Sequence, residues 1–140
     1  MNLLLDTHLL IWAASMPERL SNAASKWIEQ PEHQLYFSAL SLWEITIKRG
    51  LRRPDFIVDP SLLHHGLIEN GYTELVVKSS HSLALDQLPP IHKDPFDRML
   101  VAQAVFEGML LLTADSLVAQ YPGQIQLVWI YPKLNENCVF

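Results

Sequence analysis

The 140-residue sequence is poor in cysteine, in long apolar runs and in positive charge, and each shortage excludes a class of protein. Its one cysteine, Cys138, rules out an intrachain disulfide framework and a cysteine-rich zinc site. The segment Met1 to Asp6 has no basic residues, and its apolar run is too short for a secretion signal. No apolar stretch approaches the roughly 20 residues of a membrane-spanning helix. The expectation is a cytoplasmic protein with no membrane partner. Lys and Arg total 10 against 15 Asp and Glu, a formal charge of −5. That balance argues weakly against nucleic-acid binding, since such domains are usually basic. A divalent ion held by clustered acids would change the count, because each ion returns two positive charges. There is no internal repeat, low-complexity segment or linker, and the 49% hydrophobic content fits one folded domain with a real core.

The most informative stretch runs from His92 to Ala104. Asp94 suits a helix N-cap and Pro95 the first helical position, where a missing N–H costs nothing. Phe96, Leu100, Val101, Ala104 and Val105 then recur as one apolar stripe, and Gly108 stops the helix. Elsewhere, short apolar runs alternate with helical segments. Strands are expected at Leu3–Leu5, Leu35–Phe37, Tyr72–Val77, Met109–Leu112 and Gln126–Ile130. Helices are expected at His8–Ala14, Leu20–Glu29, after Ser38 to Gly50, Pro60–Asn70, Ser79–Asp86 and Ser116–Gln120. Arg52 to Asp55 reads as a loop, and the tail after Pro132 as irregular. This alternation predicts an α/β fold, a single-domain three-layer α/β/α sandwich around a five-stranded parallel sheet.

Ligands bind such sheets beyond the carboxyl ends of the strands. Asp6 follows the first strand, Glu44 lies on the helix after the second, and Asp115 follows the fourth. Asp97 opens the helix that leads into that fourth strand. Carboxylates brought this close repel one another, and a hard divalent cation relieves the repulsion. Mg2+ or Mn2+ prefers carboxylate oxygen and water and can activate a water for attack on a phosphodiester.

Four segments carry a family resemblance: Leu-Leu-Leu-Asp6-Thr7-His8, Ser38-Ala-Leu-Ser-Leu-Trp-Glu44-Ile, His92-Lys-Asp-Pro-Phe-Asp97-Arg98 and Leu-Leu-Thr113-Ala-Asp115. Together, in order and spacing, they resemble the acidic motifs of PIN domains, and most closely the VapC toxins of bacterial toxin–antitoxin pairs. The resemblance implies a PIN domain over 1–132 with an irregular tail at 133–140. It also implies Mg2+- or Mn2+-dependent RNA cleavage that leaves 5′-phosphate and 3′-hydroxyl ends, homodimerisation, and silencing by a cognate VapB-like antitoxin.

Each residue also has a plainer role. Asp6 can cap the helix after it. Glu44 fits a capping box from Ser41, but a start at Ser38 puts it more than a turn inside and favours metal ligation. Asp94 reads as cap or supporting acid and Asp97 as the ligand. Asp115, the weakest of the four, can cap the Ser116 helix. Thr7 can cap or orient Asp6, and Thr113 can support the acids through its hydroxyl. Arg98 reads as a surface ion pair before a phosphate contact. Lys48 and Arg49 suit a helix C-terminus, whereas Arg52 and Arg53 are candidates for RNA phosphate. His64, His65, His81 and His92 read as surface residues, and Trp12, Trp27, Trp43 and Trp129 as core or interface.

The reading is a metal-dependent endoribonuclease toxin with Asp6, Glu44, Asp97 and Asp115 at its centre. One alternative is a non-catalytic PIN-fold module that binds RNA or protein, although unused clustered carboxylates would only destabilise the fold. The other is an aspartyl-phosphate phosphatase. That chemistry usually wants a second aspartate two residues after the first, and this chain has His8 there.

Overall fold

The computed structural model describes residues 1–51 and 58–128. Arg52 and Arg53, their expected loop, Trp129, Cys138 and the tail at 133–140 lie outside the described residues.

Five short strands form one parallel sheet: β1 (Asn2–Leu5), β2 (Gln34–Ser38), β3 (Thr73–Leu75), β4 (Leu110–Thr113) and β5 (Ile125–Leu127). Their order is β3-β2-β1-β4-β5, so the first strand made is the central one. Leu4 pairs with Tyr36 on one side and Leu111 on the other. The continuous leucines of β1 and β4 follow from burial on both faces. Leu3, Leu5 and Leu112 point to one side, among Leu9, Leu10, Leu63 and Leu67 of the helices α1 (Thr7–Ser15) and α4 (Pro60–Glu69). Leu4 and Leu111 point to the other, among Leu100, Val101 and Ala104 of α6 (Pro95–Glu107). The three-layer α/β/α expectation holds.

Local chemistry sets the remaining elements: α2 (Asn22–Glu29), α3 (Ala39–Gly50) and α5 (Ser79–Ala84). Ser21 and Ser38 accept backbone N–H bonds and so start α2 and α3. The helix α6 begins as its sequence requires, with Asp94 Oδ1 accepting from the Phe96 and Asp97 N–H groups at 2.8 and 3.2 Å. It ends at Gly108, whose φ of 67° lies in the left-handed region that glycine enters without steric cost.

Several expectations need correction. The third strand is only three residues long, and the fifth spans Ile125–Leu127, with positions 129 and 130 of its expected range outside the described residues. The helix expected at Ser116–Gln120 is a 3-10 turn confined to Val118–Gln120. Val105 lies away from the core stripe of α6, 47% exposed. His81 is fully buried, bonding Glu107 Oε1 through Nε2 at 2.8 Å and accepting the Lys78 N–H at Nδ1. Trp12 and Trp27 pack against the core, but Trp43 is largely exposed, edge-on to Phe96.

Candidate metal centre

The carboxyl ends of β1 and β4 lie side by side, with Leu5 paired to Leu112. The next residues, Asp6 and Thr113, therefore meet. Thr113 Oγ1 donates to Asp6 Oδ2 at 2.6 Å, and the Ala114 N–H donates to the same oxygen at 3.1 Å. Asp6 Oδ1 caps α1 by accepting from Leu9 N–H. A carboxylate has about four acceptor sites, so these three donors leave Asp6 capacity for another partner. Thr113 Oγ1 also accepts the Asp115 N–H at 3.0 Å, so one hydroxyl ties the first acid to the fourth.

Helix α3 leaves the adjacent strand β2 and brings Glu44 to the same place, where it is buried at 4% exposure. Glu44 is held from both sides. Its Oε1 lies 2.9 Å from Thr7 Oγ1, which is also 2.9 Å from Ser41 Oγ. With one proton, Thr7 can donate to the carboxylate while accepting from Ser41. Lys48, one helical turn on, places Nζ 2.8 Å from Glu44 Oε2. Thr7 thus orients Glu44 rather than Asp6, and Lys48 turns back into the site instead of serving only the helix C-terminus.

Asp97 enters from the first turn of α6. Beside it, His92 Nε2 lies 3.2 Å from Asp97 Oδ2 and 3.0 Å from Asp115 Oδ2. His92 Nδ1 accepts the Asp94 N–H at 3.1 Å, which leaves the ring proton on Nε2, facing the two acids. His92 is therefore not a surface residue. Its backbone N–H donates to Tyr121 Oη at 2.8 Å, and Arg98 donates to the same hydroxyl at 3.2 Å and to Pro89 carbonyl at 3.1 Å. Arg98 makes no ion pair among the described residues; it braces the segment that carries His92. Asp115 Oδ1 accepts from Leu117 N–H while Oδ2 faces His92, but it does not cap a helix as expected, since the 3-10 turn at Val118–Gln120 has no side-chain cap.

Asp6, Thr7, His8, Glu44, Lys48, His92, Asp94, Asp97 and Asp115 line one pocket of about 170 Å³. Its electrostatics are under strain. Asp97 has its pKa pushed up to about 8, first by burial and then by the carboxylates of Asp94, Asp6, Glu44 and Asp115. Burial also lowers the pKa of His8, against the pull of the surrounding acids. One N or O atom each from His92, Asp97 and Asp115 lie within 4.8 Å of one another, so the His92 N–H occupies the space between the two acids where an ion would sit. Carboxylate oxygens dominate the lining, which suits a hard divalent cation.

Sequence reasoning missed His8, Lys48 and His92 as parts of this pocket, and Ser41 as the hydroxyl behind Thr7. Lys48 carried a usable signal, since it stands four residues after Glu44 on one helix. His92 carried none, because its position depends on Tyr121 and Asp115, distant in the chain.

Comparison with known proteins gives a consistent answer. The PIN domain profile matches residues 3–123. The chain is 30% identical over 112 residues to Ribonuclease VapC22 of Mycobacterium tuberculosis, covering 80% of this chain and 85% of that one. Its fold is similar to VapBC2 from Rickettsia felis, crystallised with a DNA fragment from their promoter, at TM-score 0.69 and 12% identity over 91% of this chain and 99% of that one. DNA-bound VapBC from Salmonella typhimurium is similar at TM-score 0.62 and 14% identity, over 90% and 97% of the two chains.

Proposed function

The chain belongs to the PIN-domain family, and from that membership we propose a Mg2+- or Mn2+-dependent endoribonuclease, the toxin of a toxin–antitoxin pair. The observation that carries this reading is the meeting of Asp6, Glu44, Asp97 and Asp115, from separate segments, in one pocket where Asp97 is pushed up to about 8. Burial and the neighbouring carboxylates hold a proton on Asp97 well above the usual carboxylate range when no cation is bound.

We read these four acids as the ligands of the ion. When bound, the ion lowers the pKa of a water and offsets charge on the scissile phosphate. The chain's own part is to hold the acids in place. Thr113 fixes Asp6 and the backbone of Asp115, Thr7 fixes Glu44, and Asp94 anchors the helix that presents Asp97. Arg98 acts through Tyr121 on the His92 segment, and no RNA contact need be assigned to it. Arg52 and Arg53 remain the proposed phosphate contacts. The PIN domain is read as 1–132, with 133–140 as a tail outside it. The VapBC assemblies of its structural relatives support a VapB-like antitoxin as a partner, and a second copy of the chain is proposed from the family resemblance alone.

The test is cleavage of total RNA by the purified chain with Mg2+, Mn2+ or EDTA, followed by mapping of the ends. The expected result is metal-dependent cutting with 5′-phosphate ends, lost in Asp97→Asn. Cutting that persists in EDTA, or in Asp97→Asn, would overturn the proposal.

A further inference from the structure

The pocket contains a positive charge that the acidic motifs do not account for. Lys48 Nζ sits 2.8 Å from Glu44 Oε2, and its side chain is only 21% exposed. Both ends of this pair are fixed. Glu44 is buried and held at its other oxygen by Thr7, and Lys48 is set one turn along the same helix. An ammonium at that distance, partly withdrawn from water, lowers the electrostatic cost of Glu44 in a pocket with four further carboxylates. It also takes one acceptor site of the Glu44 oxygen that Thr7 leaves open, and it repels an incoming divalent ion.

We propose that Lys48 is an intramolecular counter-ion that competes with the divalent cation for Glu44, and so sets the ion concentration at which the pocket loads. The inference rests on the metal-binding reading above. Lys48 here is neither a ligand nor a group that touches the reacting atoms; it acts through Glu44. An ion that takes Glu44 approaches against the ammonium, so the apparent affinity includes the cost of weakening a short, part-buried ion pair. His92 plays no equivalent part, since its proton faces Asp97 and Asp115 rather than Glu44.

The experiment is a titration of the whole chain with Mn2+ alone, without RNA, read by electron paramagnetic resonance of the free ion. It compares the native chain with Lys48→Met, Glu44→Gln and the double variant, each checked for folding by circular dichroism. The expected result is that Lys48→Met tightens Mn2+ binding about tenfold or more in the native background and less than about threefold in the Glu44→Gln background. Unchanged or weaker binding by Lys48→Met overturns the inference, and so does an equal gain in both backgrounds, which would reflect overall charge rather than the pair. Should Lys48→Met not fold, Lys48→Gln, which keeps a polar tip, takes its place with the same expectations. If neither the native chain nor any variant binds Mn2+, the metal-binding reading itself fails, an outcome distinct from the failure of the competition.

Discussion

At the scale of single residues, Asp97 makes the clearest demands. Its pKa in the folded chain is raised from 3.8 to about 8, so between those values the folded state holds a proton that the unfolded state has released. The stability this contributes is fully present below about pH 4 and is lost as pH rises towards 8. Metal-free chain is therefore expected to melt at progressively lower temperature across that window. Asp97→Asn, which never ionises, should flatten this slope, raise the metal-free melting temperature near pH 8 and abolish cleavage. A slope of equal size in the variant, in melts across that pH range, would assign the effect elsewhere. Thr113 offers a quieter test. Its hydroxyl serves Asp6 and the Asp115 N–H together, so Thr113→Val should lower metal affinity or activity about 10- to 100-fold, while Thr113→Ser retains most of both. A calorimetric titration with Mn2+ distinguishes the two.

At the scale of elements, α6 shows why two aspartates three residues apart have different work. Asp94 Oδ1 takes the N–H groups of Phe96 and Asp97, which occupies it as a cap and leaves Asp97 to face the pocket. Asp94→Ala is expected to cost about 1 kcal/mol, seen as a fall of a few degrees in melting temperature, whereas Asp94→Asn costs less. Equal losses would mean that Asp94 contributes charge rather than a cap. This division of labour was legible in the sequence, because proline fixes where the helix starts and the start fixes which acid is free to turn inwards. The same holds for Ser38 and Glu44. What could not be read was how one element meets another. His81 looked like any polar residue in a short helix, and only the packing of α5 on α6 buries it against Glu107. Arg98 looked like a surface charge, and only the approach of Tyr121 gives it a partner that carries no charge.

At the scale of the whole molecule, the alternation of apolar runs and helices was enough to specify the parallel sheet and its two coverings. Strand length was overestimated at β3, and β5 stops at Leu127; among the described residues each has a neighbouring strand on one edge only and so needs less apolar sequence. The pocket couples this architecture to its ion. A cation bound by the folded chain alone should raise stability by about 2.7 kcal/mol at a hundredfold excess over its dissociation constant. Thermal melts with and without Mg2+ are expected to differ by several degrees in the native chain and hardly at all in Asp97→Asn. The absence of any shift in the native chain would remove the coupling. The strand order has a further consequence. Because β1 lies between β2 and β4, and Asp6 relies on Thr113, the first acid waits for a segment more than a hundred residues away. A nascent chain still inside the ribosome has not yet presented that segment. The centre can assemble only after Thr113 has left the ribosome, so until then the template and machinery that make the protein are spared its chemistry.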